Sequence, residues 1–358
     1  MKMAVVVGTR PEIIKMSPIV RECENRGLDY FILHTGQHYS YNMDQVFFEQ
    51  LELPKPRYNL DVGSGNHGEQ TGKILIEIEK VLLNENPDVV LVEGDTNTVV
   101  AGALAASKLH IKVGHVEAGL RSYDRSMPEE INRVVADHIS DFLFAPTKQS
   151  KQILIDEGVE QEKIFVTGNT IVDSVYQNLE LADKKRNMLK SLGLQQKKYF
   201  LVTTHRQENV DDKKRFKNIL QGLNQLSENF DMPVVYPIHP RSRKMMNQFG
   251  FDANGIKLVE PADFLGFLQL ENNACLVLTD SGGVQEETCI LGRPCVTLRD
   301  NTERPETLDV GSNMLAGAEQ DRMLECVSVM LEKDKEWSNP FGDGTAGKEI
   351  IDVLEEKI

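Results

Sequence analysis

The 358-residue chain carries 40 Lys and Arg against 55 Asp and Glu, a formal net charge of −15, with 40% hydrophobic and 27% charged residues. Affinity for a nucleic-acid backbone comes from clustered cations, so that composition excludes a general nucleic-acid-binding surface but leaves room for one basic pocket. No apolar run approaches the roughly 18–20 residues of a membrane span, and the length predicts about two globular domains.

Met1–Lys15 opens like a secretion signal, but Arg10, Pro11 and Glu12 interrupt the apolar stretch and no small-residue cleavage site follows, so mature sequence is expected. Cys23, Cys275, Cys289, Cys295 and Cys326 are odd in number, widely spaced and without a CxxC pair. They read as small buried hydrophobes in a reducing compartment, which predicts a cytoplasmic protein.

In chain order, Met3–Gly8 is a continuous apolar strand that ends at Thr9-Arg10-Pro11, where a helix begins with proline in its first turn. Phe31–Gly36 is the next strand, followed by helical patterns at Met43–Leu51 and Glu69–Leu83. Val89–Asp95, Lys112–Glu117 and Asp141–Pro146 read as further strands, with an Ala-rich helix at Ala101–Lys108. Apolar strands separated by helices indicate a parallel sheet covered on both faces. The pattern breaks at the polar stretch Ala182–Lys198. It restarts with Tyr199–Arg206, Pro233–Pro240, Ile256–Pro261, Cys275–Gly283 and Pro294–Leu298, and the last helix falls at Lys348–Lys357. The expectation is α/β, with two doubly wound Rossmann-like domains.

Ligands of such sheets bind beyond the carboxyl ends of the strands, so those ends carry the functional argument. After the first strand, Gly8 is followed by Arg10 and Lys15 at a helix N-terminus, an arrangement suited to a phosphate. It is no GxGxxG fingerprint, and no GxxxxGK[ST] loop occurs, which argues against a bound dinucleotide or a P-loop triphosphatase. Asp95 and Glu117 end two strands, and the loop beyond Glu117 holds Asp124, Arg125, Glu129, Glu130 and Arg133. Acids gathered at one site have their pKa values driven apart, which separates an acid from a base. In the second half His205 follows a strand, and Ser281-Gly282-Gly283 offers a hydroxyl and close backbone N–H groups to an anion. Glu287, one turn on, is placed to hold a ribose diol, and Arg304 adds a cation after another strand. The eight histidines show no HExxH and no Cys/His cluster with ligand spacing, so no metal is expected, and Ser281 lies outside any GxSxG elbow.

These residues resemble the non-hydrolysing UDP-N-acetylglucosamine 2-epimerases. The resemblance runs through GTRPEIIKMSPIV (8–20), TGQH (35–38), GDTNTVVAGALAA (94–106), GHVEAGLRS (114–122) and PEEINR (128–133). It continues through TGNTIVD (167–173), THRQEN (204–209), DSGGVQEE (280–287) and RDNTERPE (299–306). It implies a glycosyltransferase-B-like fold with the active site in an interdomain cleft. The first domain would span 1–170, with a C-terminal helix at about 343–358 packing back on it, and the nucleotide-binding domain 171–342.

By the same resemblance Asp95, Glu117, Glu129 and His205 match catalytic positions. Arg10, Lys15, Arg133, Phe267, Ser281, Gly282, Gly283, Glu287 and Arg304 match substrate contacts. Phe267 reads equally well as a core aromatic. Gln37 and His38 match a regulatory loop at which a second substrate molecule activates bacterial members. Glu69-Gln70-Thr71 stands where a cation would be expected, so altered or absent activation is anticipated. The implied partner is a UDP-sugar, with no cofactor, no nucleic acid and no membrane, and the family usually forms homodimers.

The chemistry follows independently from the substrate. C2 of an N-acetylhexosamine has no adjacent carbonyl, so direct deprotonation is too costly. Elimination of UDP to a 2-acetamidoglucal avoids that and needs carboxylates at the sugar with cations or N–H groups at the diphosphate. An epimerase of another UDP-sugar, a hydrolysing epimerase and a glycosyltransferase remain alternatives at this point.

Overall fold

A computed structural model describes residues 1–37, 41–185, 187–333 and 336–358, and within 41–45 the backbone alone. The chain divides into two compact units, Met1–Gln177 with Phe341–Ile358, and Asn178–Pro340. Each unit is a doubly wound α/β structure with its own parallel sheet.

The first sheet contains β1 (Lys2–Val7), β2 (Asp29–His34), β3 (Tyr58–Asn59), β4 (Val89–Glu93), β5 (Lys112–Val116), β6 (Phe142–Ala145) and β7 (Ile164–Val166). Their order is β3-β2-β1-β4-β5-β6-β7, all pairs parallel. All of β4 and nearly all of β1 is buried, as their unbroken apolar sequences require of strands covered on both faces. The chain leaves β1 for β2 and β3, then returns to the other side of β1 for β4. The carboxyl ends of β1 and β4 therefore flank the crevice where the winding reverses.

That crevice is tightly framed. Thr35 and Thr98 join their hydroxyls at 2.8 Å behind Gly8, where an added Cβ would lie 2.1 and 2.3 Å from those two oxygens. Only glycine fits there. The helix Arg10–Arg26 starts in a capping box, with Thr9 and Glu12 closing on each other's backbone, and stops at Gly27 in the left-handed conformation. Glu12 also reaches sideways. One carboxyl oxygen accepts from Gly8 N (2.5 Å) and Thr9 N (3.2 Å), the other from Thr96 Oγ1 (2.5 Å), so it joins the turns after β1 and β4.

Burial pushes the Glu12 carboxyl up to about 7, against the pull of those three hydrogen bonds and with a further push from Asp95. A raised folded value means stability is complete below the usual carboxyl range and is lost as pH rises toward 7. Glu12→Gln removes that dependence. The variant is expected to gain stability relative to the parent by roughly 3 kcal/mol between pH 4.5 and 7, read from urea midpoints at each pH. Parallel pH profiles for the two proteins would refute it.

The final helix, Ala346–Lys357, packs on the helix Arg10–Arg26, where Arg26 pairs with Asp352 (2.7 Å) and Glu355 (2.5 Å). Asp173 accepts from Ala346 N and Gly347 N at 3.3 and 2.9 Å, which fastens the helix start.

The second sheet contains β8 (Phe200–Thr203), β9 (Val234–Pro237), β10 (Ile256–Val259), β11 (Leu276–Thr279), β12 (Cys295–Thr297) and β13 (Asn313–Leu315). The order β10-β9-β8-β11-β12-β13, again parallel, puts its reversal between β8 and β11. Phe200, Phe216, Leu223 and Tyr236 lie at the centre of its main apolar core.

Two features depart from the sequence reading. Strands β3, β7 and β13 were not anticipated, because each is an edge strand of only two or three residues and partly exposed, too short to show a strand pattern. The polar stretch 182–198, where the alternation breaks, is helical in part. The helix Thr170–Lys185 enters it, the helix Met188–Leu192 occupies part of it, and the units divide upstream at Gln177 and Asn178. The five cysteines are free thiols, four buried and Cys275 half-buried. Among the described residues, no helix is long and apolar enough to cross a membrane.

Candidate active site

In the N-terminal unit the reversal point gathers carboxylates and the cations that hold them. Glu93 is the last residue of β4, and Glu117 directly follows β5. Lys15, one turn into the first helix, sets its Nζ between them, 3.2 Å from Glu93 Oε1 and in a short contact with Glu117 Oε2. Glu117 also accepts from Asn169 Nδ2 at 3.0 Å. Burial pushes the Glu93 carboxyl well above its ordinary range, Lys15 opposes this, and Glu117 and Glu12 add to it. One ammonium therefore serves two acids, of which Glu93 is the one that burial drives toward its protonated form.

Glu117 adopts φ +67°, a left-handed conformation that costs a side-chain-bearing residue about 1–3 kcal/mol. The strain turns the carboxylate away from the regular strand path. Asp95, just past Gly94, forms a short pair with Arg133, whose other nitrogen lies 3.0 Å from Glu130. Glu129 and Arg133 are four residues apart in the helix Pro128–Ile139 and share a face. Glu130 serves the loop instead. Burial works against its charge, yet the Ser122 and Tyr123 N–H groups and Arg133 hold it below the usual carboxylate range. Arg10 places its guanidinium 5.8 Å from the Phe47 ring centroid.

In the C-terminal unit the reversal point offers a candidate anion cradle. Ser281 precedes the helix Gly282–Ile290 in extended conformation, and Gly282 and Gly283 occupy its first two positions. A Cβ on Gly283 would meet nothing closer than Ser281 Oγ at 4.0 Å, so there is open space beside the first turn of this helix. Gly283→Asp is therefore expected to leave the melting temperature within about 2 °C, since an acid suits a helix start, while weakening UDP binding at least about 100-fold by calorimetry. Unchanged UDP affinity would rule out this cradle.

Asp280 explains why His205 stands where it does. Fully buried at the end of β11, it accepts from Thr204 Oγ1 (2.6 Å), His205 N (3.0 Å), Arg206 N (2.9 Å) and Asn209 Nδ2 (3.1 Å). Its other oxygen lies 3.4 Å from His205 Nδ1, which turns Nε2 outward on a ring 40% exposed. Glu287 is half-buried one turn beyond the cradle, and the buried Glu271 faces it. Burial first and Glu287 second push the Glu271 carboxyl well above the ordinary range. Arg304 pairs with Glu286 at 2.7 Å on that same helix. Phe267 is half-buried against the cluster that includes Tyr199, Leu270 and Val284.

The expected residues thus fall into two groups. Arg10, Lys15, Asp95, Glu117, Glu129 and Arg133 belong to one unit, and His205, Phe267, Ser281, Gly282, Gly283, Glu287 and Arg304 to the other. Lys15 is engaged by carboxylates rather than standing open to a phosphate. Gln37 is buried, its amide oxygen accepting from Thr98 N (3.2 Å) and Thr98 Oγ1 (2.7 Å), so it braces the turn after β4. His38 lies outside the described residues. Glu69, at the anticipated cation position, is exposed and pairs with Lys73 at 2.7 Å. Among the described residues no group of three or more His, Cys, Asp or Glu is arranged to hold a metal ion.

A sequence profile of the family described as UDP-N-acetylglucosamine 2-epimerase matches residues 21–355. The chain belongs to that family. The UDP-N-acetylglucosamine 2-epimerase of Methanocaldococcus jannaschii is 58% identical to it over 99% of each chain. The one from Methanococcus maripaludis is 55% identical, covering 99% of this chain and 98% of the relative. A crystal structure of the M. jannaschii UDP-GlcNAc 2-epimerase in complex with UDP-GlcNAc and UDP superposes with a TM-score of 0.87 at 57% identity. It covers 99% of this chain and all of that one. The chain is thus an enzyme of the UDP-N-acetylglucosamine 2-epimerase family, with that family's paired parallel sheets.

Sequence reading passed over Glu93, Asp280 and Glu271 as site components. Glu93 and Asp280 each stand at a strand's carboxyl end, a usable signal. Glu271 sits in the helix Phe264–Asn273 among apolar neighbours, and nothing local marks it as facing Glu287.

Proposed function

We propose that the chain interconverts UDP-N-acetylglucosamine and UDP-N-acetylmannosamine by eliminating UDP and adding it back. A carboxylate of the N-terminal unit takes the C2 proton, the C–H electron pair becomes the C1–C2 double bond, and the C1–O pair leaves with UDP. Protonation of the opposite face of C2 and return of the UDP oxygen to C1 give the epimer. Atoms and charge balance without a cofactor.

The observation that carries this reading is the pairing of Asp95 and Glu117, each held by a cation, beside one reversal point, with the Ser281-Gly282-Gly283 turn at the other. The cradle of Ser281, Gly282 and Gly283 would take the diphosphate, with Arg10, Arg304 and the outward His205 Nε2 neutralising charge as UDP leaves. Glu287 would accept from the ribose diol, and Phe267 would lie against the uracil. Glu129 and Arg133 complete the sugar end. This reading places the enzyme in the cytoplasm as a homodimer, supplying precursors for cell-surface polysaccharide or glycan synthesis. Gln37 and His38 would mark a regulatory loop weakened by Glu69, so the rate should rise hyperbolically with UDP-N-acetylglucosamine.

Incubation with UDP-N-acetylglucosamine in deuterium oxide tests the core of the proposal. Deuterium is expected at C2 of both UDP-sugars, with no free hexosamine. Free hexosamine as sole product would indicate the hydrolysing reaction, and turnover only with an added acceptor would indicate a transferase. Turnover confined to a 2,3-diacetamido uronate donor would change the substrate.

A further inference from the structure

We propose that His115 is a buried imidazolium whose ion pair with Asp137 positions both Asp95 and Glu117, by fixing the two backbone turns on which they stand. The inference rests on the epimerase reading for what those carboxylates do. How they are held follows from geometry within the N-terminal unit.

His115 lies in β5 and is 1% exposed. Its Nε2 is 2.8 Å from the Gly94 carbonyl oxygen and its Nδ1 2.7 Å from Asp137 Oδ1. A carbonyl oxygen has no proton to give, so Nε2 carries one. Asp137 already accepts through its other oxygen from Gly119 N (3.2 Å) and from Arg121 (2.7 Å), so it is an ionised acceptor and Nδ1 carries the second proton. A ring that donates from both nitrogens is a cation. Burial opposes that charge, but Asp137 outweighs it, and the ring sits above its usual range while Asp137 sits below its own. The charged groups facing the pair are Arg121, its partner Glu157 (2.6 and 2.9 Å) and Glu117. Two cations and two anions, His115, Arg121, Asp137 and Glu157, thus compensate one another in the interior.

This network touches the backbone at two places. Gly94, held through its carbonyl, is the pivot between Glu93 and Asp95 and has φ +82°. Gly119, held through its N–H, lies two residues past the strained Glu117. Gly119 has φ +83°, and a Cβ there would come within 2.4 Å of the Ser150 carbonyl oxygen. The turn after β4 and the turn after β5 are thereby tied to one ion pair. Neither His115 nor Asp137 is placed among the substrate contacts, so both are positioning residues. Loss of the tie lets two carboxylates drift, and a misplacement of about 1 Å can cost about 100-fold in rate.

A histidine value raised on folding gives stabilisation that is complete below pH 6.5 and is lost as pH rises through the folded value. Turnover should therefore show an alkaline limb that His115→Gln lacks. Nitrogen-15 NMR of the labelled full-length enzyme at pH 7.5 should show both ring nitrogens of His115 protonated, assigned by their absence in His115→Gln or, if that variant does not fold, in Asp137→Asn spectra. A neutral ring at that pH overturns the proposal. His115→Gln should lower kcat about 100-fold, with KM and the Kd for UDP within about twofold, because the Ser281-Gly282-Gly283 turn, Glu287 and Phe267, proposed to hold the nucleotide, lie in the other unit. Unchanged kcat in the folded variant, or an equal loss of UDP affinity, also overturns it. Asp137→Asn should reproduce the split and serves where His115→Gln does not fold. Failure of the parent enzyme to turn over UDP-N-acetylglucosamine would instead defeat the epimerase reading, and the NMR result would still decide whether the imidazolium exists.

Discussion

Asp95→Asn and Glu117→Gln are each expected to lower turnover of UDP-N-acetylglucosamine by about 10²- to 10⁴-fold, the range a positioned acid or base contributes. Glu129→Gln belongs to the same expectation. The substitutions are nearly isosteric, and the structure shows why the fold survives them. Arg133 keeps Glu130 when Asp95 loses its charge, and Lys15 keeps Glu93 when Glu117 does. Neither cation is left unpaired in the interior, which would be the expensive outcome. Turnover and the deuterium content of recovered substrate, measured beside melting temperature, separate a chemical defect from a folding one. A variant that still exchanges C2 hydrogen at the parent rate would remove that carboxylate from the mechanism.

Asp280→Ala carries the largest expected effect on stability. The fully buried carboxylate receives four donors on one oxygen, from Thr204, His205, Arg206 and Asn209. Alanine leaves them without an acceptor, and stripping one side from a buried charged network costs about 3–5 kcal/mol. The loop that carries His205 loses its anchor at the same time, so UDP affinity should fall together with the urea midpoint. Asp280→Asn keeps one acceptor oxygen and should fall between the alanine variant and the parent. If Asp280→Ala unfolds at the parent midpoint, the carboxylate does not hold the loop.

Much of the candidate site was proposed from residue order because a parallel strand buried on both faces must be apolar until it ends. The first polar residues after it then mark the rim where ligands bind. Asp95, Glu117, His205 and Ser281 were found in that way. Edge strands obey a weaker rule. Tyr58–Asn59 and Asn313–Leu315 are too short and too exposed for their sequence to betray them. The polar residues at 182–198 misled for a related reason, because a helix with much of its surface in water needs few apolar positions.

What residue order settled was the alternation of strand and helix and the chemical character of what stands at the strand ends. These are local properties, set by burial period and by the few residues a strand end allows. Which charge meets which was decided only by the tertiary structure. Lys15 is 102 residues from Glu117, Arg133 is 38 from Asp95, and Thr204 is 76 from Asp280. Such pairings depend on strand order, and strand order depends on how whole helices cover a sheet rather than on any window of sequence. The protonation of His115 belongs to the same class. Its neighbours in the chain make it an ordinary strand residue, and only the arrival of Asp137 on one nitrogen and the Gly94 carbonyl on the other turns it into a buried cation.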